Sequence, residues 1–446
     1  MPGPTLLTRA IHLVTMVILA ISLALPVEAR SLIRDADIEH ALDRLARPMI
    51  NAAGLNPARI SVLVIQDDAM NAFVMDGRTV FLHSGLILRL ENAAELQAVI
   101  AHEIAHIANG HITRRTTNRR GAATMAGIAA ALGVAAALSG EPGAGAAAAI
   151  GASSSATRRF LTHTRVEEAA ADNSALRFMA EAGIDPHAMA HVLDHFRGQE
   201  ALSTDRQDPY LRAHPLTRDR IRAVKGLAAA LTPSGDRDPN ADYWFARAQG
   251  KLGAFLRAPQ WTLRRVADGD QSDVGLMRKA VAHHRQSNAD AALAEIDALV
   301  AKRPSDPFAH ELRGQILLES RRFAPAIQAY GRAVELAPGN ALILAGLGQA
   351  LLTQDDAAST RRALEVLETS RSRDARNPRM MHALAQAHAR LGNTGLASLA
   401  TAERYALLGR ASDARLHAQR AAGALPNGST GWRRAEDLLR ALPDAS

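Results

Sequence analysis

Residues 96–110 read Leu96-Gln97-Ala98-Val99-Ile100-Ala101-His102-Glu103-Ile104-Ala105-His106-Ile107-Ala108-Asn109-Gly110. Leu96, Val99, Ile100, Ile104 and Ile107 fall at helical spacing and mark one apolar face. Asn92, with Glu95 three residues later, makes a capping-box-like start. Asn109-Gly110 makes a stop. A helix is therefore predicted with His102–His106 at its middle. Histidines four apart on a helix stand one turn from each other on the same side, so both imidazoles reach one metal ion. Glu103 lies beside them, placed to take a proton from a water at that metal. His-Glu-x-x-His on a helix is the arrangement zinc peptidases need.

A catalytic zinc usually has three protein ligands and one open position. One pattern puts a third histidine six residues after the second, with a glycine three after it; those positions hold Ile112 and Asn109, so that pattern fails. His111 is one place out of step and past the Gly110 stop, and reads as a neighbour rather than a ligand. The better third ligand is downstream, in a second predicted helix opened by Thr164 with Glu167 in reciprocal capping position and closed by Gly183 and Pro186. Glu168 and Asp172 are four apart and share a face of it. A carboxylate there can bind zinc, and the aspartate can orient a ligand histidine by accepting its second N–H. An acidic first turn that favours the helix dipole accounts for Glu167. It does not account for Asp172, a poor helix former well inside the helix. His191 and His195 are also four apart but lack an acid beside them and read as a solvated helix face.

The two segments together, His102-Glu-Ile-Ala-His106 and Glu168-Ala-Ala-Ala-Asp172, resemble the gluzincin family that includes the HtpX-like membrane proteases and the CAAX prenyl endopeptidases. The resemblance extends to Asn71-Ala72-Phe73, to the run from Thr79 to Leu86 and to His214-Pro215-Leu216-Thr217. Carried over residue by residue, it implies one Zn2+ per chain bound by His102, His106 and Glu168. It implies Glu103 as general base, Asp172 behind the ligands and Asn71, Ala72 and Phe73 as substrate-binding. His214 matches a histidine that, in periplasmic members, gates the site or stabilises the transition state. Read from the residues alone, His214 is a loop histidine before a helix capped by Thr217. Thr164-Arg165 departs from a serine-arginine common in the family, a conservative change for a cap.

The first 29 residues read as a secretory signal, with Arg9 ahead of an apolar core from Leu13 to Leu25 and small residues at Val27 and Ala29; the alternative is an uncleaved anchor helix. The chain has no cysteine, which excludes a lipid-anchored lipoprotein, a disulfide scaffold, a cysteine nucleophile and a thiolate metal site. Export and a zinc peptidase motif together point to a bacterial periplasm. The net charge is +7 and aromatic residues are 4%. The basic residues are almost all arginine, with lysine only at Lys225, Lys251, Lys279 and Lys302. Nucleic-acid surfaces cluster basic groups with aromatics, so no nucleic-acid partner is expected. Peripheral contact with an anionic membrane is compatible with the charge.

Around the motif, residues 31–57 read as one amphipathic helix. Ile60–Ile65 and Thr79–His83 read as strands, with Asn71–Met75 a third, turned by Asp76-Gly77. An exposed strand edge beside the zinc helix can align an extended substrate through backbone hydrogen bonds. Residues 121–151 are nearly uncharged and rich in alanine and glycine. They read as a packed hairpin or a membrane-surface segment ahead of a true span.

Pro304 and Pro338 lie 34 residues apart, the tetratricopeptide period. Gly314, Ala326, Tyr330 and Ala333 fall at the small and aromatic positions of that pattern, with Tyr330 filling the gap between paired helices. About four such units are expected, a curved scaffold with a protein-binding concave face. The expected organisation is a signal at 1–29, a zincin-like metallopeptidase domain at 30–230 that is mainly α with a small β-sheet, a Pro/Gly/Asp-rich linker at 231–270 and a tetratricopeptide α-solenoid at 271–446. Signal, peptidase and repeats in this order resemble the repeat-bearing periplasmic members of the family. That resemblance implies unfolded or misassembled outer-membrane proteins as substrates and their assembly machinery as a partner. The rival expectation is a repeat-based chaperone or adaptor whose zinc domain is mainly structural.

Overall fold

The computed structural model describes residues 32–113, 164–199, 206–267 and 269–442. The expected signal (1–29) and the alanine-rich segment (121–151) lie outside the described residues. Among the described residues, no helix is long and apolar enough to cross a membrane.

Four strands form one sheet: β1 (Leu32–Ile33), β2 (Ser61–Ile65), β3 (Ala72–Val74) and β4 (Thr79–His83), in the order β1-β2-β4-β3. β2 runs parallel to β4, and β1 and β3 are antiparallel to their neighbours. Side chains alternate across the sheet. Val62, Val64, Ala72, Val74, Val80 and Leu82 face the main core. Leu63, Ile65, Phe73, Met75 and Phe81 form a smaller cluster on the other face. Asp76 closes the β3–β4 turn by accepting from the backbone N–H of Arg78 and Thr79 at 3.0 and 2.7 Å.

On the main face lie α1 (Ala36–Ala52) and the motif helix α3 (Ala93–Ala108), with the short α2 (Ser84–Arg89) leading out of β4. α1 buries Ile38, Leu42, Leu45, Met49 and Ile50 there. Each such side chain contributes about 1.5–3 kcal/mol. α3 starts at the Asn92 cap, whose side chain accepts from the Glu95 N–H, and ends at Asn109 with Gly110 at φ +68°, as its sequence demands. α4 (Arg165–Glu181) opens with the Thr164–Glu167 capping box and lies against α3. α5 (His187–Asp194), α6 (Pro209–Ala213) and α7 (Arg218–Ala230) complete this half.

The expected linker is not a linker. The breaker-rich run before Asn240 ends α7, but α8 (Ala241–Leu256) follows and places Ala241, Phe245, Ala248 and Leu252 in the same core as α1 and α3. Those four recur at helical spacing, a signal that the neighbouring Pro/Gly/Asp cluster overshadows. α9 (Pro259–Arg265) then leads into the repeats.

Five antiparallel helix pairs follow, where about four were expected: α10 (Asp273–Arg285) with α11 (Ala289–Lys302), α12 (Pro307–Glu319) with α13 (Phe323–Leu336), α14 (Ala341–Leu351) with α15 (Ala357–Arg373), α16 (Pro378–Arg390) with α17 (Thr394–Leu407), and α18 (Ala411–Ala424) with α19 (Thr430–Ala441). The first helices of successive pairs start 34, 34, 37 and 33 residues apart. The extra residues sit in the 17-residue α15 and break the period, which hides one pair from a count by spacing. Tyr330 is buried against Gly314 and Gly346: a Cβ added at either would come within 2.8 and 2.3 Å of its ring.

Residues 34–37 bridge the two halves. Arg34 pairs with Glu39 and Asp374 and donates to the Arg376 carbonyl. Lys251, with no exposed surface, reaches Asp35 at 2.9 Å and Glu311 at 3.6 Å. Arg247 joins Asp37 at 2.6 Å to Asp306 at 2.7 Å. The peptidase-side core and the second repeat thus share one buried ionic network.

Candidate metal centre

α3 presents His102 and His106 one turn apart, and α4 presents Glu168 and Asp172 one turn apart, so packing α3 on α4 brings all four together. His102 Nε2 lies 3.1 Å from His106 Nε2 and 3.4 Å from Glu168 Oε2, and His106 Nε2 lies 3.4 Å from Glu168 Oε1. His214, the cap at the end of α6, adds its Nδ1 at 3.0 Å from Glu168 Oε1 and 3.3 Å from His102 Nε2. The four donor atoms lie within 4.8 Å of one another, and all four residues are buried. The sequence suggested three ligands and an open corner; a fourth donor stands at that corner.

Each imidazole has an acceptor on its outer nitrogen. His102 Nδ1 is 3.0 Å from Asp172 Oδ1, His106 Nδ1 is 2.8 Å from His111 Nδ1, and His214 Nε2 is 3.3 Å from the Ala72 carbonyl. With a proton on each outer nitrogen, all three inner nitrogens turn lone pairs to a common centre beside the Glu168 carboxylate. That donor set fits a divalent cation. Metal-binding histidines are held in this way, with the tautomer fixed by what the other nitrogen donates to.

Charge argues the same way. Burial works against a proton on His102, but hydrogen bonds to Asp172 and Glu168 and their charges outweigh it and push the imidazole up to about 10. Burial pulls His106 well down. Burial raises Asp172 less than Arg220 and His102 lower it, leaving it at about 2. Glu168 is likewise held well below its ordinary range by His214 and Arg220 despite burial. Arg220 donates twice to Asp172, from Nε at 2.6 Å and Nη2 at 2.9 Å, and lies 2.6 Å from Glu168. The two ionised carboxylates that favour a proton on His102 favour a divalent cation in that proton's place.

Glu103 is fully buried; burial raises its pKa, and neither carboxylate oxygen has a hydrogen-bond donor. Its Oε1 lies 3.3 Å from His214 Nε2. A buried carboxylate with raised proton affinity, one residue from His102, is what a general base requires.

Asn71, Ala72 and Phe73 are buried, and the Phe73 ring packs on Phe81 across the sheet. Their side chains face neither cleft nor solvent; the backbone is what they offer. The Asn71 carbonyl accepts from the His83 N–H of β4. By antiparallel alternation the Ala72 and Val74 backbone groups point away from β4, at the sheet edge, and there the Ala72 carbonyl meets His214. His195 lies 3.3 Å from Glu95 and His191 is exposed; neither joins the centre. Arg220 and Tyr210, whose ring packs 4.7 Å from His214, were not visible in the sequence. Arg220 sits between Arg218 and Arg222 and only the fold distinguishes it.

Residues 33–228 match peptidase family M48. This stretch is similar to that family, and the chain is a metalloendopeptidase. The beta-barrel assembly-enhancing protease of Escherichia coli K12 is 25% identical over 392 residues, which cover 86% of this chain and 78% of that protein. A Vibrio cholerae protein given the same name provisionally is 32% identical over 219 residues, 49% of this chain but only 44% of its own length. The mitochondrial metalloendopeptidase OMA1 of Schizosaccharomyces pombe is 26% identical over 191 residues, 41% of this chain and 51% of its own. So similarity to the Escherichia coli protein continues past residue 228 into the repeats, and similarity to OMA1 covers less than half the chain.

Proposed function

We propose that this chain is a zinc endopeptidase of the periplasm that removes misfolded or stalled outer-membrane proteins, with its helical repeats binding protein. The convergence of three imidazole lone pairs and Glu168 beside the buried Glu103 carries the reading. The names of the bacterial relatives support the substrate class, and the export signal read from the sequence supports the compartment.

His102, His106 and Glu168 would hold the cation. When bound, it supplies Lewis acidity that lowers the pKa of a water and polarises the scissile carbonyl. The residues do the rest. Asp172 and His111 hold two of the ligand histidines in register, and Arg220 holds Asp172. Glu103 accepts the proton of the attacking water and passes it to the leaving amine. An extended substrate pairs with the outward backbone of β3. That pairing competes with His214 for the Ala72 carbonyl, so substrate docking draws His214 out of the fourth corner and opens it to water.

A fourth donor favours the rival reading of a structural zinc, because structural sites are closed. A buried carboxylate of raised proton affinity has no use in such a site, and the two readings part in one experiment. Glu103→Gln should keep its metal and lose about 100- to 10,000-fold in casein cleavage, while the wild-type chain cleaves casein and stops on addition of a chelator. Metal content unchanged with cleavage also unchanged would overturn the peptidase assignment.

A further inference from the structure

His214 stands at the fourth corner of the metal centre, and an aromatic stack backs its ring. α6 is little more than one turn. The Asp208 carboxylate opens it by accepting the Tyr210 N–H at 3.2 Å, and the His214 N–H closes it by donating to the Tyr210 carbonyl at 2.8 Å. Residues four apart on such a turn share a face. The Tyr210 and His214 rings accordingly lie 4.7 Å apart between centroids, 34° from parallel. Behind Tyr210, the Phe196 ring stacks at 5.0 Å and 16°. Phe196 has no exposed surface and Tyr210 is 3% exposed. Both belong to the peptidase-side core, so the stack cannot follow an imidazole that moves away.

The polar contacts of the His214 ring are to groups that change partners as the site works. Glu168 at 3.0 Å and His102 at 3.3 Å are cation ligands in the proposed assignment, and the Ala72 carbonyl at 3.3 Å is the group an edge-pairing substrate takes. The contact with Tyr210 involves none of these. Offset aromatic rings at this spacing attract beyond the area they bury, and that attraction holds the imidazole inward with or without substrate. We propose that Tyr210, braced by Phe196, is a positioning residue that sets how much of the time His214 occupies the fourth corner. A substrate that must displace His214 binds with its intrinsic affinity reduced by the fraction of chains whose corner is open. The stack lowers that fraction, so only a segment that pairs well with β3 opens the site. Tyr210 acts this way only where docking draws His214 out, as proposed for the metal centre.

The test uses the zinc-loaded full chain carrying Glu103→Gln, so that nothing is cut. Binding of fluorescein-labelled casein is read by anisotropy. The position of His214 is read by NMR in protein carrying 13C in its histidine rings, with the His214→Ala spectrum identifying the resonance. The Tyr210 ring current displaces that resonance, so Tyr210→Leu should return it to the ordinary histidine range. Tyr210→Leu should also tighten casein binding about 2- to 10-fold, and Tyr210→Phe, which keeps the ring, should restore both readouts. His214→Ala removes the group being positioned, so adding Tyr210→Leu to it should change binding no further. Circular dichroism checks that each variant folds; should Tyr210→Leu fail, Phe196→Leu loosens the stack from behind and should act in the same direction. Unchanged binding in Tyr210→Leu, an equal effect with and without His214, or an unmoved resonance overturns the proposal and leaves the peptidase reading standing. Casein bound by no chain, the parent included, counts against the peptidase reading instead, and the resonance still decides the role of Tyr210.

Discussion

His102 and His106 sit on the same helix face but are held by different groups, Asp172 for one and His111 for the other. An ionised acceptor strengthens a ligand's lone pair more than a neutral imidazole does. Under the proposed assignment, Asp172→Asn should lower metal affinity about 10- to 100-fold, and His111→Gln by clearly less, both read by competition with a fluorescent chelator. Arg220 is the harder loss. Removing it strands Asp172 and Glu168 in a buried site, where an uncompensated charge costs about 3–5 kcal/mol. Arg220→Gln should therefore lower the melting temperature of the metal-free protein, and Arg220→Lys should not restore it, because lysine cannot make the two-pronged bond to Asp172. At this scale His102, Glu103, His106, Glu168 and Asp172 were legible, because spacing on a helix encodes which side chains meet. His214 was legible as a candidate with two roles open. The Ala72 contribution was half-legible: the segment was singled out, but a carbonyl carries no side-chain signature.

The helices that carry these residues begin and end where their caps say. Asn92, the Thr164–Glu167 box and Thr217 each accept the hydrogen bond their positions predict. Thr164→Ala removes a cap worth about 1 kcal/mol one turn before Glu168. Faster metal release with little change in melting temperature is the expected outcome, measured by chelator-trapping kinetics. In the repeats, Tyr330 is clasped between Gly314 and Gly346. A methyl group at Gly346 forces the ring aside, and such overpacking costs about 1–3 kcal/mol. Gly346→Ala should shift the unfolding of the repeats, seen by chemical denaturation, and leave metal affinity intact. The sequence pattern named Gly314 and Tyr330, since a single unit of strict period exposes its own small and aromatic positions. It undercounted the units because α15 is longer than the period allows.

Across the molecule, the segment expected to separate two domains instead joins them. Glu311 of the second repeat is buried against Lys251 and the acids of residues 35 and 37, and burial pushes it up to about 7. An acid with a higher pKa folded than unfolded binds more protons when folded. Its contribution is therefore full below the unfolded value of 4.5 and declines as the pH rises through about 7. Melting temperature should fall between pH 5 and 8, and Glu311→Gln should flatten that slope; an unchanged slope would assign the pH dependence elsewhere. This network was hidden from sequence reading. Asp35, Asp37, Arg247, Lys251, Asp306 and Glu311 look like ordinary surface charges on three amphipathic stretches, and only the docking of α8 and α12 on α1 buries them.

The clasp of Arg34 on Asp374 joins residues 340 positions apart. A chain emerging amino end first cannot close it until three repeats have been made, and loop closure over such a span is entropically slow. β1 and α1 have nearer partners in β2 and the peptidase-side core, so the clasp adds a late, long-range contact to an end already folded. The two halves are thus sealed together across their whole separation in the chain, and cutting between them would cost the clasp its second partner.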